Sequence, residues 1–132
     1  MNQSCTGSCT HQYLIKGTSQ REFIQGSVFN NLIRPGGGRD TITAGAGDNE
    51  IQDIAAHLDG ITVTDFHARD TLNFTDLSDS DVTTVFLDGV LTVSRLGTAP
   101  ARINLPGLPS GTSFVTKPNG TGGTLVSLAP TL

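Results

Sequence analysis

Four side chains carry oxygen at an interval of nine residues: Glu22, Asn31, Asp40 and Asn49. Each closes a run rich in small residues, most clearly PGGGRD and AGAGDN. Glycine tolerates positive φ, so such a run can turn its carbonyl oxygens toward a small object. A hard divalent cation such as calcium takes about six to eight oxygens from carboxylates and carbonyls. A glycine turn with an acidic side chain from a stacked turn supplies that set. The same Asp and Asn residues also serve as Asx-turns at loop ends, which needs no ion.

The elements that must hold these oxygens follow from a second interval of nine. Isoleucine occupies 15, 24, 33, 42 and 51, and only three other isoleucines occur in the chain. Written as units, the segment reads GTSQREFIQ (17–25), GSVFNNLIR (26–34), PGGGRDTIT (35–43) and AGAGDNEIQ (44–52), preceded by the looser SCTHQYLIK (8–16). The eighth position is a β-branched residue suited to an inward-facing strand site. The sixth is oxygen-bearing, and the first, second and fourth lean to small residues. A turn and a short strand fill each unit, two units make one coil, and alternate units stack.

Composition agrees with an all-β chain. There are 16 glycines, 36% hydrophobic and 5% aromatic residues, no Trp, and no Ala/Leu/Glu/Lys stretch at helical spacing. The net charge of −4 comes without a Lys/Arg cluster interleaved with aromatics, so nucleic acid is excluded as a partner class. No transmembrane run is present, and MNQSCTGSCTHQ has neither a basic start nor an apolar core. That leaves export by a route that ignores the N-terminus, residence in the cytoplasm, or a fragment of a longer chain. Cys5 and Cys9 can close a small disulfide loop, join two chains, or stay as thiols in a tail. With His11 they make a poor zinc site.

PGGGRDTIT and AGAGDNEIQ resemble the GGxGxDxUx nonapeptides of RTX (repeats-in-toxin, hemolysin-type) proteins. ITVTDFHARDTLNF (61–74) is similar to the block after the last nonapeptide of that family, VFLDGVLTV (85–93) to the hairpin after it, and NGTGGTLVSL (119–128) to a terminal strand motif. The resemblance implies a right-handed parallel β-roll or β-helix of nonapeptide half-turns, capped by a C-terminal antiparallel β-layer. It implies a carboxylate ligand at Asp40, with Asn49 as the weaker equivalent, and carbonyl donors at Gly36, Gly38, Gly45 and Gly47. Glu22 is expected beside Asp40 and Asn31 beside Asn49, with Asp59 completing a site from the far side. Departures from the pattern, such as Pro35 and Ala44 at the first position, reduce the expected calcium count to one or two.

The expected organisation is a tail and first strand over 1–16, a nonapeptide roll over 17–60 and a capping region over 61–132. Within the last, Asp65 is expected to hold a loop through backbone N–H groups in preference to a metal, and LSDSD (77–81) to be a solvated acidic loop in preference to a second calcium site. Asp88-Gly89 marks a type I′ hairpin, 97–111 an irregular crossing segment, and PNGTGG a final hairpin. Leu14, Phe23 and Leu32, at the outward seventh position, are covered by the C-terminal layer or the N-terminal tail, or form a self-association or partner surface.

No GxSxG, HExxH, P-loop or Rossmann fingerprint is present, so a non-enzymatic module is expected. The resemblance implies a secreted bacterial protein, extracellular or on the cell surface. Its fold would be stabilised by external calcium, with a structural or adhesive role toward a cell-surface or matrix partner. The alternatives are a self-assembling filament or surface-layer subunit, and the secretion domain of an enzyme not present here. The starting Met and the full C-terminal ending speak against the latter.

Overall fold

The computed structural model describes residues 13–78, 82–95 and 97–129. The expectations for Cys5, Cys9 and His11, and for most of the acidic run 77–81, fall outside them. The short strands follow the repeat: β1 (Tyr13–Lys16), β2 (Phe23–Gln25), β3 (Asn31–Arg34), β4 (Thr41–Thr43) and β5 (Glu50–Asp53). They alternate between two sheets and pair in parallel at an offset of 18 residues, with Ile15 on Ile33, Ile24 on Ile42 and Ile33 on Ile51. The chain is therefore a parallel β-solenoid of about three turns.

The inner rows place β-branched side chains face to face between the sheets, where burial removes apolar area from water. Ile33, Ile42 and Ile51 are wholly buried, and Ile15 packs at the open end. The turns stack backbone on backbone. A Cβ at Gly38 would collide with the Gln20 carbonyl, and Gly38 also has φ of +90°, so this corner admits no side chain.

The solenoid does not stop at residue 60. A four-residue helix, α1 (Ala55–Leu58), drops Leu58 into the core and lengthens one unit from nine residues to twelve. The strands after it, β6 (Thr62–Val63) and β7 (Thr71–Phe74), pair in parallel with β4 and β5 at an offset of 21. Val63 and Leu72 thus continue the two isoleucine rows. The stretch expected to begin the cap is the last coil, and DFHARDTLN is its nonapeptide.

The remaining strands extend both sheets. One sheet runs β1-β3-β5-β7-β12-β11, with β11 (Phe114–Pro118) and β12 (Thr124–Leu128) forming the expected final hairpin. The other runs β2-β4-β6-β10-β9-β8, with β8 (Val82–Leu87), β9 (Val90–Arg95) and β10 (Ala101–Asn104). Asp88 and Gly89 both have positive φ, as the type I′ turn between β8 and β9 requires. The crossing segment 97–111 is not wholly irregular, because Ala101–Asn104 pairs with both β6 and β9. The C-terminal region thus covers the strand edges that the last coil would expose.

Candidate metal centre

The turns form two stacks at opposite edges of the two-sheet body. One holds residues 17–22, 35–40 and the α1 loop; the other holds 26–31, 44–49 and 64–70. The sixth positions fall into these stacks as Glu22 over Asp40, and as Asn31 over Asn49 over Asp70, the latter buried throughout.

In the second stack every side-chain nitrogen and oxygen of Asn31, Asn49 and Asp70 has a hydrogen-bond partner. Asn49 Oδ1 accepts the Asn31 backbone N–H at 2.9 Å, which settles its amide orientation, because a backbone N–H needs an acceptor. Asn49 Nδ2 then donates to the carbonyls of Gly47 (2.9 Å) and Gly45 (3.3 Å). Asn31 Nδ2 donates likewise to Ala44 O (3.1 Å), Phe29 O (3.0 Å) and Asn49 Oδ1 (2.9 Å). Asp70 closes the ladder, with Oδ1 accepting the Asn49 backbone N–H and side-chain amide, and Oδ2 accepting the His67 N–H. A cation does not fit here. The carbonyls of Gly45 and Gly47 expected to face one are already turned to amide hydrogens, which repel positive charge.

Burial pushes the Asp70 carboxyl up to about 6, against the lowering effect of its Asn49 and His67 contacts. Burial of the His67 ring works against its charged form. The Asp65 carbonyl and the carboxylates of Asp70 and Asp65 outweigh it, so His67 titrates above its ordinary value.

The first stack repeats the geometry with different atoms. Asp40 Oδ1 accepts the Glu22 N–H at 2.8 Å, as Asn49 Oδ1 accepts that of Asn31. Where Asn49 offers an amide hydrogen, Asp40 offers Oδ2. That atom is buried and, among the described residues, is the one buried side-chain nitrogen or oxygen without a hydrogen-bond partner. By the repeat, the carbonyls corresponding to those of Gly45 and Gly47 are those of Gly36 and Gly38. Glu22 takes the place of Asn31: its carboxylate accepts the Thr18 N–H (2.7 Å) and hydroxyl (2.9 Å) and lies over Gly17. The Pro35 carbonyl also lies over Gly17, as Ala44 O lies over Gly26 beside Asn31 Nδ2. The corner thus gathers acceptors where its counterpart alternates donors with acceptors. Burial raises the Asp40 carboxyl above its ordinary value; the Glu22 amide lowers it, and the Glu22 and Asp53 charges raise it further.

These residues fit a hard cation. Asp40 and Glu22 would hold it, with carbonyls of the Pro35–Gly38 turn. Asp59 is engaged elsewhere, its Oδ1 accepting the Arg102 N–H at 2.8 Å, and the residue stacked on Asp40 is Ile61. The carboxylate that reaches this stack from the next coil is Asp53, whose Oδ2 accepts the Gly36 N–H at 2.8 Å. No group of three or more His, Cys, Asp or Glu side chains converges on one point among the described residues, so carbonyls must supply most of any ligand set.

Asp53 and Asp65 went unread as a pair. Both stand at the first position of their units, where Gly17, Gly26, Pro35 and Ala44 stand in earlier ones. Asp65 accepts the N–H groups of Ala44 (2.8 Å) and Gly45 (2.9 Å), as expected of a loop-holding carboxylate. Asp at the first position was the available signal that a turn stack ends there. Asp53 also orients His57 through Nδ1 at 2.8 Å.

Comparison with protein-family models, with curated proteins and with solved structures returns no match.

Proposed function

We propose that this chain is a calcium-stabilised structural module with one cation site, at the turn stack of Glu22 and Asp40. The observation that carries the reading is the buried, unpartnered Asp40 Oδ2 in a corner made of acceptors. An unsatisfied buried carboxylate oxygen costs several kcal/mol, and a cation between it, Glu22 and the glycine-turn carbonyls removes that cost. The PGGGRDTIT resemblance to RTX nonapeptides supports calcium over other hard cations. It also supports a role outside the cell, where calcium is plentiful and the fold would be completed after export.

The test is calcium titration of the full chain followed by calorimetry and circular dichroism, against Asp40→Asn. Calcium binding only the folded state raises stability by about 2.7 kcal/mol at a hundredfold excess over Kd, and Asp40→Asn should lose that response. A wild type whose thermal midpoint ignores calcium would end this proposal.

A further inference from the structure

We infer that two copies of this chain pair through β8, antiparallel about a two-fold axis at Val85, to form one continuous sheet. The inference is independent of the cation site and rests on a comparison of the four edge strands among the described residues, β1 and β11 in one sheet, β2 and β8 in the other. Exposed edges offer unpaired backbone groups to any passing strand, and folded proteins guard them with charge, proline or brevity. β1 ends in Lys16, β2 has three residues, and β11 carries Lys117 and Pro118. β8 is six residues long, VTTVFL, with no charge, proline or glycine. Its outward side chains include Val85 at 60% and Leu87 at 67% exposure.

The register of the hairpin says what can dock. Leu87 faces Val90 across a two-residue turn, so Leu87, Val85 and Thr83 exchange hydrogen bonds with β9. The N–H and C=O groups of Thr84 and Phe86 then point away from the sheet. A dyad through Val85 sets Thr84 opposite the partner's Phe86, and Phe86 opposite the partner's Thr84, so both outward-pointing sets meet. On the outer face Val85 meets the partner's Val85, and Leu87 meets the partner's Thr83. An uncharged strand meets no like charge in its own copy. On its C-terminal side the adjoining charged residue, Asp88, falls opposite the partner's Val82, whose β9 neighbour is Arg95. The contact is the same patch on both copies, so it closes at two and makes no filament. A single six-residue strand carries it, against a standard interface of about 1,600 Å², so pairing should grow with concentration.

Sedimentation velocity of the full chain in millimolar calcium tests this. Wild type should shift from monomer to dimer as concentration rises to hundreds of micromolar. Val85→Lys and Val85→Glu should each stay monomeric with an unchanged circular dichroism spectrum, and their equimolar mixture should dimerise again, because residue 85 faces its own copy. Phe23→Lys, at the exposed edge of β2, should leave association as in wild type. A wild type that stays monomeric, a Val85→Lys protein that still dimerises, or a mixture that fails to re-associate would overturn the inference.

Discussion

In the stack of Asn31, Asn49 and Asp70, Asn49 Oδ1 accepts the Asn31 N–H one coil away, Asn31 Oδ1 accepts the Ser27 hydroxyl, and both amides donate to turn carbonyls. In the stack of Glu22 and Asp40 the backbone N–H is served the same way, but carboxylate oxygens stand where the amide nitrogens stood. Between Asn49 and Asp40 one δ-position atom, nitrogen or oxygen, decides whether the side chain completes its own hydrogen bonds or leaves a buried oxygen without a partner. A repeat can therefore hold one coil geometry while changing, unit by unit, whether its polar atoms are satisfied within the stack.

The comparison breaks most severely at Asn49→Asp. That change sets a second buried carboxylate against Asp70 and against the carbonyls of Gly45 and Gly47. The expected cost in chelator is about 3 kcal/mol or more, read by urea unfolding, with part of it restored by millimolar calcium. Equal stability of this variant and wild type in chelator would show that the amides are not what completes the stack.

Next in size is the effect of pH on the foot of the same ladder. The folded Asp70 titrates at about 6, above the ordinary 3.8. Below pH 3.8 both folded and unfolded chains hold the proton and the contribution is full. As pH rises toward 6 the unfolded chain ionises first, so stability falls, by about 3 kcal/mol from this group. His67, also raised, acts with the same sign: its contribution is present below 6.5 and is lost as pH rises through its folded value. Unfolding free energies between pH 4 and 7 in chelator should therefore decline, and Asp70→Asn should flatten much of the slope below pH 6. An unchanged slope in that variant would remove Asp70 as its source.

Asp40→Asn should convert the first stack to the chemistry of the second. Its Oδ1 keeps the Glu22 N–H and its amide gains carbonyls to donate to, so the variant is expected to be about 1–2 kcal/mol more stable than wild type in chelator. Calorimetry with and without calcium reads this gain together with loss of the calcium response. The smallest expected effect is that of Glu22→Gln. Glu22 is half-buried and its partners on Thr18 remain available to an amide, so stability in chelator should move by about 0.5 kcal/mol. Calcium affinity should fall on the order of tenfold, as expected for a lost ligand charge. An affinity equal to wild type by isothermal titration would place the ion away from Glu22.

The inner architecture was open to reading because it depends on a local period. Five isoleucines at intervals of nine, with glycine-rich turns between them, admit few arrangements other than a coil of 18 residues, and Asp88-Gly89 and PNGTGG mark their hairpins by turn chemistry alone. The last coil was missed because α1 lengthens one unit to twelve residues, and a strict interval of nine then steps past Val63, Asp70 and Leu72. Asp59 was assigned to the site on proximity in sequence, whereas the β6–β10 junction claims it for the Arg102 amide.

What the chain determined by its order of residues was the pitch of the coil and the two rows of β-branched side chains, since both repeat within a few residues of themselves. Which oxygens lack a partner was decided only by the tertiary structure. A donor for a sixth-position side chain comes from the unit 18 or 21 residues away, and whether that unit presents an amide, a carboxylate or Ile61 depends on how the coils stack.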